Sequence, residues 1–463
     1  MNYKIKSFLV LFCWLSLIFP LNLSLTDYHN PQANHILDAE VVGDVLIISA
    51  MVQGVEFYDI SNPGQLNHLT NFNLGGGGWG GGIKANCVKA LGSFAYFTTY
   101  NGDGLYVVNI SNPSNPQNLG TITGSSGMNL ENLDVKDNLL AVAAHEDGVL
   151  LYNVSNPQNS TYFYTINCSN AWGVRIHNNY VYIADEQTIK IYDVSSELTP
   201  IFKNEIEIAN AVKDIAIDET LMYVAIGSNG VDVYDISNME DPQLLDNFNT
   251  NTMANRIAVF DGGLAIADWD DVDIINWNGS TLEHVGYKNT GNRTMGIAAK
   301  DNFIYSAEWA SVQAFEYGEI MGPDLDLNTW ELNYPYVEPG FSTILSLDIT
   351  NNGNSALTIS DNYTTHSDFE ILNSLSILDP GESQLVEIVY NATTANASGA
   401  YRIYSNDPDE PEIICETNGN IDGANVGEAA PDFNLQYVAN GNGNFQLSDH
   451  LGEVVVIAFF SPM

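Results

Sequence analysis

The chain has 463 residues, 45% of them hydrophobic, so it is long and apolar enough for two or three packed domains and unlike a disordered chain. It carries 57 acidic and 14 basic residues, a formal net charge of −43. Phosphate backbones and anionic bilayers would repel this surface, so we expect no nucleic-acid partner and no peripheral membrane binding.

Residues 1–26 are predicted to be an export signal. Lys4 and Lys6 precede an apolar run over 8–19, and Pro20 ends it. The run has about a dozen residues, fewer than the roughly 20 that span a bilayer, and no later stretch is long enough. We therefore predict a secreted, periplasmic or cell-surface protein without a membrane span after cleavage.

One phrase recurs through residues 27–320. Its copies include GVEFYDISNP, GLYVVNISNP, GVLLYNVSNP, TIKIYDVSSE and GVDVYDISNM, and two weaker copies follow at 272–280 and 312–319. The copies lie 40 to 50 residues apart, and each unit holds three or four β-prone runs separated by Gly, Asn, Asp and Pro. Units of this length with four strands are typical of propeller blades, so seven copies predict a seven-bladed β-propeller.

The copies at 54–63, 104–113, 148–157 and 230–239 resemble LVIVD repeats, a family whose repeats stack into propellers. The resemblance implies an extracellular or surface scaffold and no settled activity. We interpret the phrase itself as structural: its Tyr and Ile pack between blades, and its Asn-Pro pair turns the chain towards the outer strand. Units four, six and seven lack the Asn-Pro pair, and the fifth copy has Asn-Met in its place.

The last repeat shows only three strand candidates, whereas the first repeat supplies four. An open strand edge is an aggregation hazard. We therefore expect the missing strand to come from the segment near residues 22–32 or from the chain just after Glu316.

The acidic run DWDDVD at 268–273 is the candidate metal site. Asp268, Asp270 and Asp271 offer carboxylate oxygens, the ligand type that calcium prefers. The run lacks the spacing of an EF-hand loop, so a solvated turn is the alternative. Calcium is the one cofactor that the sequence suggests, because the histidines show no zinc spacing.

Aromatic and glycine-rich segments are the remaining candidates on the propeller. Trp172, Trp269 and Trp309 fall at comparable places in their units, where they either form ligand platforms around a channel or pack in the core. We interpret the glycine-rich stretch 74–84, which contains Trp79, as a blade connector rather than a phosphate loop. The expected ligand is a protein or a carbohydrate.

Three cysteines lie after the predicted leader: Cys87, Cys168 and Cys415. None belongs to a Cys-x-x-Cys pattern, and we interpret them as small buried hydrophobic residues. A disulfide between Cys87 and Cys168 stays open as an alternative in an oxidising compartment.

Residues 323–420 are predicted to form an all-β sandwich. Its strand candidates lie at 343–351, 356–360, 369–372, 383–391 and 400–407. The stretches LDITNNGNSALTIS and YRIYSNDPDEPEI resemble the Ig-like domains of the Hydin and choice-of-anchor D type. The resemblance implies a spacer or an interaction surface.

Residues 424–463 resemble the opening of a redoxin of the thioredoxin superfamily, in the thiol-disulfide and peroxidase (AhpC/TSA) branch. The match is carried by Gly427, by APDF at 430–433, and by FQLSD and VVVIAFF further on. That family implies a reactive cysteine close to the position of Met463, so no catalytic residue can be assigned. We expect a truncated α/β fragment, and either a selenocysteine codon or an interrupted sequence explains the position of the break.

The predicted fold class is therefore all-β: a seven-bladed β-propeller, an Ig-like β-sandwich and an incomplete thioredoxin-like α/β fragment. We predict an exported multidomain binding or scaffold protein whose complete form carries a thiol-disulfide redoxin domain. The alternative is a thiol- or selenol-dependent oxidoreductase whose other modules serve localisation. Enzymatic activity stays open, because the chain offers no catalytic residue.

Overall fold

The computed structural model describes residues 21–31, 35–51, 54–75, 83–196, 199–250, 252–319, 322–329, 331–393, 397–408, 411–419, 434–436 and 444–446. These residues form strands and turns, with two 3₁₀ turns at Tyr100–Gly102 and Pro157–Asn159 and no α-helix. The chain divides into two compact units, Met1–Ile320 and Met321–Met463. The all-β expectation is thereby confirmed for the described residues.

The first unit contains five antiparallel sheets of four strands each. It opens with β1 (Leu21–His29), and the five sheets then follow in chain order. Their strands are β2 (Asp38–Val42), β3 (Val45–Ser49), β4 (Val55–Asp59) and β5 (Asn67–Phe72); β6 (Ala85–Leu91), β7 (Phe94–Thr99), β8 (Tyr106–Asn109) and β9 (Gln117–Thr121); β10 (Asn132–Lys136), β11 (Leu139–Ala143), β12 (Val149–Asn153) and β13 (Thr161–Ile166); β14 (Ala171–His177), β15 (Tyr180–Asp185), β16 (Thr188–Asp193) and β17 (Ile201–Glu207); and β18 (Asp214–Asp218), β19 (Leu221–Ala225), β20 (Val231–Asp235) and β21 (Gln243–Phe248).

A seven-stranded sheet completes the first unit, in the order β1-β27-β26-β25-β24-β23-β22. Its remaining strands are β22 (Arg256–Phe260), β23 (Gly263–Ala267), β24 (Trp269–Trp277), β25 (Leu282–Lys300), β26 (Phe303–Glu308) and β27 (Val312–Glu319). The early part of β25 pairs with β24 and its later part pairs with β26. One long strand therefore serves two successive sets of four strands.

The N-terminal strand supplies the strand that the last repeat lacks. β1 pairs antiparallel with β27, with Leu23 opposite Tyr317 and Leu25 opposite Phe315. This pairing confirms the expectation for the segment near residues 22–32. The strand begins inside the predicted leader 1–26, and the leader's basic and apolar stretches lie outside the described residues.

The recurring phrase forms the turn after the third strand in each of the five four-stranded sheets of the first unit. In five copies the side-chain oxygen of the anchor residue accepts a hydrogen bond from the backbone N–H two residues later, at 2.7–3.0 Å: Asp59, Asn109, Asn153, Asp193 and Asp235. Such a bond lets a short polar side chain close the turn. The contacts support the structural interpretation of the phrase.

Hydrophobic clusters fill the space between successive sheets. Phe57 of β4 packs with Phe97 of β7, and the next clusters continue from sheet to sheet. Another cluster joins Tyr58 and Ile60 of the first sheet to Tyr305 and Ala314 of the seven-stranded sheet. The core thus lies between sheets, which is the propeller-like way to bury both faces of a small sheet.

The second unit is a sandwich of two four-stranded sheets. They have the orders β28-β30-β33-β32 and β29-β35-β34-β31, and all pairs are antiparallel except β29 with β35. The strands are β28 (Leu325–Leu327), β29 (Glu331–Asn333), β30 (Ser342–Asn351), β31 (Ile359–Thr364), β32 (Phe369–Ile371), β33 (Ser383–Asn391), β34 (Ala397–Ser405) and β35 (Glu412–Gly419). Tyr334, Phe369 and Tyr390 pack in its core.

The predicted redoxin-like segment 424–463 gains no support from the structure. Its described residues form only a two-stranded ribbon, β36 (Asn434–Gln436) with β37 (Asn444–Gln446). The rest of the segment, including the apolar run 454–460, lies outside the described residues. The glycine-rich insert also falls mostly outside them, at 76–82 with Trp79.

Candidate functional site

The acidic run forms a tight connection between β23 and β24. Asp268 donates its backbone N–H to the carbonyl oxygen of Asp271 at 3.1 Å, and Asp270 donates its own to the carbonyl of Asp268 at 2.8 Å. Trp269 lies between them with φ +65°, in the left-handed region that non-glycine residues seldom adopt. The turn therefore directs neighbouring side chains to different environments.

Three carboxylates of this run come together, and they are not the three expected from sequence. Asp268, Asp271 and Asp273 are buried, and one carboxylate oxygen of each lies within 4.8 Å of the others. Asp270 is exposed and its Oδ1 accepts a hydrogen bond from the Thr252 hydroxyl at 3.1 Å instead. Asp273 could have been found from the period of two in a strand, since it shares a face of β24 with Asp271.

The three carboxylates differ in the hydrogen bonds that their oxygens accept. Asp268 accepts hydrogen bonds from the hydroxyls of Thr250 at 2.7 Å and Thr252 at 2.9 Å. Asp273 contacts the His284 imidazole, with 2.6 Å between Oδ1 and Nε2. Asp271 takes a hydrogen bond from Tyr287, yet its Oδ1 has no hydrogen-bond partner among the described residues.

Burial and mutual repulsion set the protonation of this cluster. Burial, followed by the neighbouring charges of Asp273 and Asp268, raises the pKa of Asp271 to about 9. Burial also raises the pKa of Asp268. For His284, burial opposes the charged form, but the hydrogen bond to Asp273, the charge of Asp273 and the backbone of Gly286 together outweigh it, and the pKa is raised. The cluster is thus an environment that favours an added positive charge.

Tryptophans and cations meet at the loop ends of the sheets. The Lys213 ammonium lies 5.0 Å from the Trp172 ring centroid, and the Arg293 guanidinium lies 5.0 Å from Trp269 and 5.8 Å from Trp309. We call these five residues the tryptophan rim. Each tryptophan is half-buried. Part of each ring therefore packs against the protein, and part is open to a ligand, so neither sequence interpretation is excluded.

The two rim cations lack acidic partners within the part of the chain that the structure describes. Neither Arg293 nor Lys213 forms an ion pair there, although acidic residues outnumber basic ones about four to one. Other cations do pair, such as Lys190 with Asp185 at 2.5 Å. Arg293 is exposed, and its guanidinium lies within cation–π distance of two aromatic rings, which favours a fixed position for its donors.

A charged network lines the first strands of the sheets. Lys89 pairs with Glu40 at 2.7 Å, and Arg175 pairs with Asp214 at 3.0 Å. A cavity of about 230 Å³ is lined by Glu40, Lys89 and Arg175 of this network and otherwise by alanine, valine and isoleucine residues. The charges satisfy one another, so we interpret this network as structural.

The described cysteines are free and unsuited to thiol chemistry. Cys87 and Cys415 are buried and Cys168 is half-buried, and the Cys87–Cys168 disulfide is not formed. Burial raises the pKa of Cys168 and of Cys415 to about 12, and that of Cys87 well above its usual value. Reactive thiols require the opposite shift.

Two family models match parts of the chain. The LVIVD repeat model matches residues 82–123, 169–207 and 210–250, which include the fourth unit despite its missing Asn-Pro pair. The model described as HYDIN/CFA65/VesB-like, Ig-like domain matches residues 323–418. The chain thus contains LVIVD repeats and an Ig-like domain of this type.

Comparison with curated proteins gives no match. Among solved structures, the computationally designed Ika8 protein is 15% identical to this chain, with a TM-score of 0.45. The match covers 61% of this chain and 83% of the Ika8 chain. Within the described residues, no helix is long and apolar enough to cross a membrane.

Proposed function

We propose that this chain is an exported binding and scaffold protein that recognises carboxylate-bearing carbohydrate through its tryptophan rim. The repeat unit and the Ig-like domain are both module types that suit a multidomain binding or scaffold protein. The proposal rests above all on Arg293, an exposed guanidinium in cation–π contact with two tryptophans and without a carboxylate partner among the described residues.

The proposed architecture behind the rim is a closed ring of seven blades. Counting β25 in both of its sets and adding β1 to the last set turns the seven-stranded sheet into two sets of four. With the five other sheets this makes seven sets. The cluster between Tyr58 and Ala314 supports closure, because it joins the first set to the last.

The chemistry of the rim suits an acidic sugar. Tryptophan rings pack against the apolar faces of sugar rings, and a guanidinium forms charge-assisted hydrogen bonds with a carboxylate. The net charge of −43 does not prevent this contact, since at physiological salt charges are screened over about 8 Å. A protein segment that carries a carboxylate is the other partner class compatible with these groups.

The test is calorimetric binding of trigalacturonate to the full chain, with its methyl ester as the neutral ligand control. We expect the acid to bind and the ester to bind more weakly. Arg293→Ala should weaken binding of the acid about tenfold, the cost of one charge-assisted hydrogen bond. Lys136→Ala is the control, because it removes a positive charge at the last residue of β10, away from the strand starts where the rim lies. It should leave binding of the acid unaltered. Equal binding of acid and ester would rule out the carboxylate contact.

The oxidoreductase alternative is supported only by the redoxin-like sequence of 427–460. Every described cysteine has a raised pKa, so the described part of the chain offers it no nucleophile. A disulfide-reduction assay on protein expressed from the native gene would favour this alternative if activity persisted in the triple variant Cys87→Ala, Cys168→Ala, Cys415→Ala.

A further inference from the structure

We propose that Asp268, Asp271 and Asp273 form a calcium site. All three side chains are buried, and one oxygen of each lies within 4.8 Å of the others. The site is independent of the proposed carbohydrate recognition, although Trp269 of the rim belongs to the same turn. It replaces the sequence-based set of Asp268, Asp270 and Asp271.

A buried oxygen without a partner distinguishes this cluster from an ordinary acidic turn. Asp271 is 5% exposed, and its Oδ1 has no hydrogen-bond partner among the described residues. Burying a carboxylate oxygen without a donor or cation is costly. A bound cation would satisfy this oxygen and reduce the repulsion among the three carboxylates.

The cations nearest in the strand pairing leave the Oδ1 of Asp271 without a hydrogen bond. Lys288 is buried on β25 directly opposite Val272. Directly opposed residues project to the same face of a sheet, whereas Asp271 and Asp273 flank Val272 and project to the other face. His284 engages Asp273, and its contact leaves the Oδ1 of Asp271 without a partner.

The oxygen spacing is compatible with calcium. Calcium–oxygen bonds of about 2.3–2.6 Å let two ligands of one ion lie up to about 4.6–5.2 Å apart. The three oxygens of the cluster lie within 4.8 Å of one another. Carboxylates are also hard oxygen ligands, which suit calcium better than a soft transition metal.

The first experiment follows the melting temperature of the full chain as calcium is added to metal-free protein. We expect one equivalent to bind and the Tm to rise on the order of 5 °C at a hundredfold excess over Kd. Asp271→Asn should abolish this rise. Asp270→Asn is the matched control, because it makes the same carboxyl-to-amide change one residue away and should keep the rise.

A rise that survives in Asp271→Asn, or that is lost equally in Asp270→Asn, would overturn the assignment, since it would show general binding to an acidic surface. So would the absence of any calcium effect on the wild-type protein.

A second experiment needs no cluster variant to fold. Terbium occupies calcium sites and emits when a nearby tryptophan is excited, and Trp269 adjoins Asp268 and Asp270 in sequence. We expect sensitised emission that one equivalent of calcium displaces and a tenfold excess of magnesium does not. Trp269→Phe should reduce the emission at least twofold. Emission that magnesium displaces as well as calcium does, or that Trp269→Phe leaves unchanged, would refute a calcium site in this turn.

Discussion

Glu308 gives the first unit a pH-dependent stability that one substitution should remove. This carboxyl lies at the end of β26, fully buried, where it accepts hydrogen bonds from the Thr290 hydroxyl at 2.8 Å and the Thr294 hydroxyl at 3.1 Å. Burial raises its pKa from 4.5 to about 7 in spite of these hydroxyls. The folded state therefore holds the proton more tightly than the unfolded state does.

The sign and size of the effect follow from this difference. Between about pH 4.5 and pH 7 the folded protein binds more protons at Glu308, so its free energy of unfolding falls as pH rises and is level above that range. A shift from 4.5 to about 7 corresponds to roughly 3 kcal/mol. Glu308→Gln cannot ionise, so its stability relative to wild type should increase by roughly that amount between pH 5 and pH 8.

The assay is urea unfolding of the full chain at pH 5 and pH 8 in calcium-free buffer. The free energy of unfolding is taken from the transition of the first unit. Glu205→Gln is the control, since Glu205 is exposed and the substitution removes the same charge. This control should change the free energy of unfolding little at either pH. A stability difference between Glu308→Gln and wild type that is equal at the two pH values would refute the reasoning.

Two further predictions concern the scaffold, and both are measured by urea unfolding. Gly230→Ala should destabilise severely, because the new Cβ would lie 2.0 Å from the carbonyl oxygen of Phe248, whereas Gly43→Ala, with a similar positive φ and open space, should cost about 1 kcal/mol. Equal costs would show that only the backbone angle matters. Asp214→Ala should cost about 3 kcal/mol, because it strips a buried cation and two backbone N–H groups of their acceptor, and Asp218→Ala on the same strand should cost little.

The sheets could be predicted because each repeat contains the residues that form its own turns. The phrase fixes where the third strand ends, and the anchor at Asp59 or Asp235 closes the turn with its own side chain. The glycine that opens the phrase has an equally local reason. At Gly54, Gly148 and Gly230 a side chain would collide with a backbone carbonyl of the fourth strand. Such constraints act within about 20 residues, so a single repeat contains them.

The long strand β25 could not be predicted in the same way. In the earlier sets the fourth strand ends before the first strand of the next set begins, and the phrase, which marks the end of the third strand, carries no signal for that later boundary. In the sixth set this boundary is missing, and Leu282–Lys300 continues as one strand across two sets. Only the pairing partners on either side, β24 and β26, show where one set ends and the next begins.

The acidic turn could be predicted from the sequence, but not which three of its carboxylates the fold brings together. Counting carboxylates along the chain selects Asp270, which the turn exposes, and omits Asp273, which the strand buries. The choice depends on where the turn ends and the alternation of β24 begins. That boundary is set by the φ of +65° at Trp269 and by the pairing of Val272 with Lys288, neither of which a local charge pattern encodes.

The predicted leader and the strand β1 compete for the same residues. A cut after residue 26 would remove six of the nine residues of β1, including Leu23, which is fully buried. It would also leave the backbone of β27 unpaired from Phe315 to Glu319, a strand edge open to association. A leader that ends before Leu21 retains the apolar run and the strand together. Under the proposed export, N-terminal sequencing of the mature protein should therefore find an end at or before Leu21, and an end at Asp27 would show that β1 does not complete the last repeat in the mature protein.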